Sequence, residues 1–398
     1  MKSLDFKVNG FLFSGISTGI KKNTKRDLGL IYSDVPAQVA GVFTNNAVKA
    51  ASVQLNMMRI KRGFCQAVVV NSGNANACTG IQGLRDARSI SSLVAKRLGI
   101  DEQLVFTAST GVIGVPLPMS KIERGIPKLI AALSPESWMR TVEAIMTTDT
   151  FPKVEVSTCR IKGGRVKLCG MVKGAGMIRP DLATMLSFLV TDANFKAPLL
   201  QRMLGKATEE SYNRITVDGE TSTNDTVLLL ANGRAGHPSS NRIDRNGEVF
   251  QSMLLEVCQN LAKSVIKDGE GTTKSIEVIV KGARSREDAK RAAYTIAHSP
   301  LVKTAFFGED ANWGRILCAL GHSGAQLNPN RIDVFFDKIP ITKNGIGTGL
   351  RFEKQASQIL KRESFKVTVD LHQGKSQFSV LTTDLSIDYV KINASYRS

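Results

Sequence analysis

The chain of 398 residues carries 53 Lys and Arg against 35 Asp and Glu, a formal net charge of +18, yet 42% of it is hydrophobic and only 12 residues are proline. That balance excludes a disordered polyelectrolyte and predicts a folded protein large enough for one big domain or two to three smaller ones. The opening Met1-Lys2-Ser3-Leu4-Asp5-Phe6-Lys7 has no signal-peptide core, and no apolar run approaches bilayer thickness, so the expectation is a cytoplasmic protein with no membrane partner.

The predicted elements alternate. Apolar strands at Gln66 to Asn71 and Val105 to Thr107 are interleaved with helical periodicity at Leu84 to Leu98 and Lys121 to Leu133. Val154 to Cys159 and Arg165 to Met171 read as a hairpin turning at Lys162-Gly163-Gly164. A strand buried on both faces follows at Met185 to Val190, then a helix at Pro198 to Tyr212, a strand at Thr226 to Ala231 and a helix at Gly247 to Lys263. Ser275 to Val280 is a strand feeding a helix at Ser285 to His298. This mixture indicates an α/β or α+β architecture without internal repeats. Asn232 to Asn246, rich in Gly, Ser, Asn and Arg, is the most linker-like stretch but too short to demand a domain boundary.

Cys65, Cys78, Cys159, Cys169, Cys258 and Cys318 form no CxxC pair, and the four histidines (His237, His298, His322 and His372) form no HExxH, so neither a metal site nor a disulfide framework is expected. Gly321-His322-Ser323-Gly324 lacks the GxSxG spacing of a serine-hydrolase elbow, and Gly269-Glu270-Gly271-Thr272-Thr273-Lys274 lacks P-loop spacing. The basic residues sit in short groups such as Lys21-Lys22 and Arg59-Ile60-Lys61-Arg62 with few aromatics between them. They are read as solvated surface rather than a nucleic-acid face.

One stretch carries a sharper signal. Lys173-Gly174-Ala175-Gly176-Met177-Ile178-Arg179-Pro180-Asp181-Leu182-Ala183-Thr184 is a glycine-broken loop that delivers a threonine to the start of an apolar strand. A threonine there suits an N-terminal nucleophile: attack on the Ala183 carbonyl moves the acyl group from nitrogen to oxygen, freeing the Thr184 amine and leaving an ester that water then hydrolyses to part the two chains. That amine, titrating near pH 8 when unperturbed, serves as general base for its own hydroxyl. The plainer reading is a threonine that starts a core strand. Ser109-Thr110-Gly111 likewise reads either as a hydroxyl beside an unobstructed amide or as a glycine turn after the Val105 strand.

The loop, with Asn71-Ser72-Gly73-Asn74-Ala75-Asn76-Ala77, Ser109-Thr110-Gly111, Thr147-Thr148-Asp149-Thr150, Val217-Asp218-Gly219-Glu220-Thr221-Ser222-Thr223-Asn224-Asp225, Asp268-Gly269-Glu270-Gly271 and Ile392-Asn393-Ala394, resembles the ornithine acetyltransferases end to end. These are the bifunctional glutamate N-acetyltransferase family of arginine biosynthesis. The resemblance implies a layered αββα sandwich akin to the N-terminal-nucleophile hydrolases, spanning about 1–275, with a smaller α+β region at about 276–398. It implies self-cleavage between Ala183 and Thr184 into chains 1–183 and 184–398, which assemble as two alpha and two beta chains.

By the same resemblance Thr184 is the nucleophile and Thr110 and Gly111 form the oxyanion hole. Thr150, Lys173, Glu270, Asn393 and Ser398 complete the substrate site, with Lys173 meeting the substrate carboxylate and Glu270 the ornithine side-chain amine. The implied reaction moves acetyl from N2-acetylornithine to glutamate without metal or cofactor, and some members also take acetyl-CoA as donor. Arg179, Asp181-Leu182 and Ser398 depart from the family's usual residues while leaving Ala183-Thr184 intact. Two rivals are an amidohydrolase or aminopeptidase on the same scaffold, and a nucleic-acid binder explained by charge alone.

Overall fold

Ala67-Val68-Val69-Val70, apolar on both faces, can only be a strand covered on both sides, and its neighbours define how. The computed structural model describes residues 5–22, 24–179 and 185–395, which fall into two compact units. The first runs to Asn213 and resumes over Glu220–Val265; the second takes Arg214–Gly219 and the chain from Ile266 onward.

The first unit holds β1 (Phe11–Ile16), β2 (Leu28–Phe43), α1 (Ala51–Arg59), β3 (Phe64–Asn74), α2 (Gly80–Leu98), β4 (Val105–Val112), α3 (Met119–Ala131), α4 (Trp138–Ile145), β5 (Lys153–Ile161), β6 (Gly164–Lys173), β7 (Leu186–Thr191), α5 (Ala197–Glu209), β8 (Thr226–Ala231) and most of α6 (Arg245–Lys267). Eight strands form one sheet in the order β4-β3-β2-β8-β7-β6-β5, with β1 also on β2. β2 is the joint: Leu28–Tyr32 pair with β3, and after a register shift between Tyr32 and Ala37 the segment Gln38–Phe43 pairs with β8. Asp34 and Pro36 occupy that break, where a proline's missing N–H costs no ladder bond.

Alternation along the strands sorts two layers of core. Phe13, Ile31, Val68, Val70, Phe106, Met171, Phe188 and Leu228 share one cluster with Trp138 and Val142 of α4. The opposite faces of β2 to β4 contribute Leu30, Ala67, Val69 and Val105 to a cluster with Ile90 and Val94 of α2 and Ile126 and Leu129 of α3. On β6 and β7 the opposite face meets α6, whose Val257 and Leu261 leave no space for a side chain at Gly170. Helices α2, α3 and α6 therefore cover one side of the strands while α4 packs into the cluster on the other, and the expected mixed, layered α/β class is met. The linker-like stretch is tied into this unit: the buried His237 accepts the Asn194 amide at 2.7 Å on Nε2, and Ser240 bridges to Phe195.

The second unit holds β9 (Ser275–Ala283), α7 (Arg286–His298), α8 (Pro300–Phe307), α9 (Trp313–Gly321), β10 (Asp333–Phe336), β11 (Ile339–Lys343), β12 (Ile346–Gly347), α10 (Leu350–Leu360), β13 (Ser364–Asp370), β14 (Ser376–Thr383) and α11 (Ile387–Ser395). Its sheet runs β12-β11-β10-β13-β9-β14 and buries Val278, Val280, Val367 and Val380 against Ala292, Ala293 and Ile296 of α7. Ser285 starts α7 by accepting the Asp288 amide at 3.1 Å. No helix among the described residues is long and apolar enough to cross a membrane.

Candidate active site

The strand ends of the first unit carry the sequence-derived candidates. β4 runs beyond the expected Thr107 to Val112, so Ser109-Thr110-Gly111 is the end of a strand and not a turn after it. The reason is a close parallel approach in which Gly73 lies opposite Gly111. Gly111 has φ +129°, and a Cβ there would stand 2.4 Å from the Gly73 carbonyl carbon, so only glycine fits. The asparagines of β3 shape this approach: Asn71 accepts the Ser109 hydroxyl at 2.7 Å and donates to the Asn74 carbonyl at 2.8 Å.

Lys173, buried at the end of β6, donates from Nζ to Thr110 Oγ1 at 3.3 Å. An ammonium can only donate, so Thr110 is fixed as its acceptor and its own O–H remains to donate elsewhere. From Lys173 the chain enters the glycine loop. Among its described residues the left-handed one is Met177, at φ 59°, and not Gly174 or Gly176. Ala183 and Thr184 lie outside the described residues, as does Ser398.

Asp149 ties the base of this loop together. It accepts Lys153 Nζ at 2.6 Å, and the amides of Gly174 at 2.8 Å and Thr147 at 2.9 Å. Burial would raise its pKa, but Lys173 and Lys153 outweigh that and hold it at about 2. The neighbouring Thr150 is exposed. Lys21, whose Nζ donates to the Arg26 carbonyl at 2.7 Å, stands close enough to Asp149 and Lys173 to feel both charges, and burial pushes it down to about 8. Across β7 and β8, Asp225 accepts the Met185 amide at 2.9 Å.

Asp149→Asn is expected to cost about 3–5 kcal/mol, because it leaves buried cations without their carboxylate. Denaturant melts of purified variant and wild type check this. The depressed pKa fixes the sign of the pH effect. The carboxylate's contribution is complete above the unfolded value of 3.8 and disappears as pH falls through about 2, so the gap between the two proteins closes in acid.

In the second unit, Asn393 of α11 donates to Glu270 Oε2 at 3.0 Å, bringing two more of the candidates together. The Glu270 loop is held from below. Asp384 accepts the Thr273 and Lys274 amides at 2.9 and 3.0 Å, and Gly271, at φ +65°, passes so near the Tyr389 amide that a Cβ would lie 2.3 Å from it. Beneath, the fully buried Lys303 donates to Thr382 and Thr383, and burial brings its pKa down to about 7.

Asp149, Lys21, Asn224 and Asp225 are the residues that sequence reasoning did not single out. Thr147-Thr148-Asp149-Thr150 and Ser222-Thr223-Asn224-Asp225 stood among the motifs, but nothing in a sequence marks a carboxylate as buried. Among the described residues, no group of three or more His, Cys, Asp or Glu could hold a metal ion.

A mixed α/β fold that sets a lysine-bound threonine hydroxyl beside an obligatory glycine, at the mouth of a loop leading to a second threonine, belongs to the acyl-transfer class. The chain belongs to the ArgJ family, whose model matches residues 12–398. It is 53% identical over 391 residues to the arginine biosynthesis bifunctional protein ArgJ of Geobacter sulfurreducens, covering 98% of this chain and 100% of that one. The protein of the same description from Syntrophotalea carbinolica is 52% identical over 392 residues, again covering 98% and 100%. Among solved structures, ArgJ from Bacillus halodurans is 43% identical, covers 52% of this chain and 96% of its own, and has a TM-score of 0.49.

Proposed function

We propose that the chain transfers acetyl from N2-acetyl-L-ornithine to L-glutamate through an acetyl ester on Thr184. The observation that carries this reading is the Lys173–Thr110 contact at the mouth of the 174–184 loop in an ArgJ chain, which leaves a hydroxyl donor fixed beside Gly111. Family membership makes the protein a bifunctional enzyme of arginine biosynthesis, an acyltransferase, and does not favour the amidohydrolase reading.

The chemistry follows in two halves. The Thr184 hydroxyl, losing its proton to the freed Thr184 amine, attacks the acetyl carbonyl, and the negative oxygen is met by Thr110 and Gly111. The C–N bond breaks, the ornithine amine takes the proton and leaves, and the glutamate amine attacks the ester to regenerate the hydroxyl. An acyl group passing between two amines requires no metal, nucleotide or other cofactor. Lys173 is assigned to the substrate carboxylate and Glu270, steadied by Asn393, to the side-chain amine of ornithine. Thr150 and Ser398 close the site. Acetyl-CoA is assigned as a second donor, in keeping with a bifunctional enzyme. Cleaved protomers assemble as two alpha and two beta chains in the cytoplasm.

The test is stoichiometric. Purified protein given acetylornithine and glutamate should form ornithine and N-acetylglutamate one for one, and ornithine release should fall at least tenfold when glutamate is withheld. Release at an unchanged rate without glutamate would make the protein a hydrolase.

A further inference from the structure

Resting on that reading, we propose that the adjacent residues Asn224 and Asp225 are positioning residues that set the nucleophile against the oxyanion donors. Their side chains grip two peptide units whose neighbours do the chemistry. Asn224 Nδ2 donates to the Ser109 carbonyl at 2.8 Å and the Ala75 carbonyl at 2.6 Å. The first of those carbonyls belongs to the peptide that joins Ser109 to Thr110. Asp225 Oδ1 accepts the Met185 amide at 2.9 Å, and that N–H belongs to the peptide that joins Thr184 to Met185. Adjacent residues of one strand entry thus hold the bond before the donor and the bond after the nucleophile.

The grip is locally determined. Asn224 is itself oriented, its Oδ1 accepting the Thr223 hydroxyl at 2.5 Å and its amide donating to Ser222 Oγ at 3.0 Å. The Asp225 carbonyl accepts the Thr44 amide at 3.0 Å, and the next residue's amide donates to the Met185 carbonyl at 3.1 Å, so Met185 is held at both its polar groups. Both side chains are more than nine-tenths buried. The second oxygen of Asp225 has no hydrogen-bond partner among the described residues. Burial pushes its carboxyl well above the ordinary carboxylate range, and asparagine, its near isostere, keeps an oxygen in the place of the Oδ1 acceptor. A buried acceptor anchoring an amide is a geometric device, and misplacing reacting groups by about 1 Å costs on the order of a hundredfold in rate.

The test compares matured wild type with Asn224→Ala, Asp225→Ala and Asp225→Asn, each first shown folded by a thermal melt. Rates are normalised to the acetyl-enzyme burst so that only acylatable sites count. Both alanine variants should lose about ten- to a hundredfold in kcat per site with KM for acetylornithine and glutamate held within about twofold, and their precursors should cleave correspondingly slowly. Asp225→Asn, which keeps an acceptor for the Met185 amide, should recover most of the loss.

Alanine variants with lowered melting temperatures but wild-type kcat per site would reduce the pair to a structural role and overturn the proposal. So would an Asp225→Asn variant as impaired as Asp225→Ala, since the carboxyl would then act by charge. If an alanine variant does not fold, Asn224→Ser and Asp225→Asn carry the comparison. A wild type that neither cleaves nor transfers acetyl sinks the assigned reaction but not the clamp. The clamp is then read from hydrogen exchange at the Met185 amide, which Asp225→Ala should accelerate and which, if unchanged, removes the anchor.

Discussion

Thr184→Ala is expected to purify as one uncut chain and to lose acetyl transfer by about 10⁴-fold or more, the range seen when a covalent nucleophile is removed. Intact mass under denaturing conditions reads the first effect directly: wild type should give fragments 1–183 and 184–398, the variant a single species. The argument rests on what a β-hydroxyl supplies. Without it no N-to-O shift of the Ala183 acyl group takes place, the amine that would act as base is never freed, and no ester forms in turnover. Thr184→Ser keeps the hydroxyl and should still be cut. A threonine that merely begins a core strand predicts the reverse, namely one uncut wild-type chain and a variant altered only in stability. The chain on the far side of the bond is ready for either outcome, since Met185 is pinned to Asp225 and Thr226 and every residue of β7 is buried. A cut before Thr184 therefore leaves the strand anchored through hydrogen bonds that do not depend on the broken peptide.

How far the sequence reveals this arrangement differs between fold and site. β7 and β8 are legible because unbroken apolar runs can only be strands covered on both faces, and α2, α3, α6 and α7 because their apolar residues recur with helical period. β2 is not, because Asp34 and Pro36 interrupt it and mimic a loop, whereas the fold uses the interruption to pass the strand from β3 to β8. The short strands β10 to β12 carry too few residues for a period to register. In the site, Thr110 and Gly111 are singled out by the family resemblance, since from the residues alone a glycine turn reads equally well; that the position must be glycine is explained only by the approach of Gly73. The electrostatics are not legible. Asp149 and Lys153 are four residues apart and Lys173 stands at the far end of the β5–β6 hairpin; all three look like ordinary surface charges, and only the fold buries them together, where the two lysines hold Asp149 ionised.

The second large effect is expected at Thr110. Thr110→Val preserves shape, removes one oxyanion donor, and should lower kcat by about a hundred- to a thousandfold with little change in KM for acetylornithine. That split follows from the geometry. Thr110 Oγ1 already accepts from Lys173, so its proton is left to donate elsewhere, and on the proposed reaction it meets an oxygen that becomes negative only as the carbonyl carbon turns tetrahedral. Steady-state kinetics on matured enzyme measure the split, and Thr110→Ser should restore most of the rate. The same substitution should also slow maturation, because the shift at Ala183 passes through a tetrahedral carbon of the same kind. A variant that matured normally but transferred acetyl slowly would assign Thr110 to turnover alone and leave the Gly111 amide to serve the cut. If instead KM rose and kcat held, Thr110 would be binding the substrate ground state, and the donor for the developing charge would have to be sought elsewhere along the β3 and β4 strand ends.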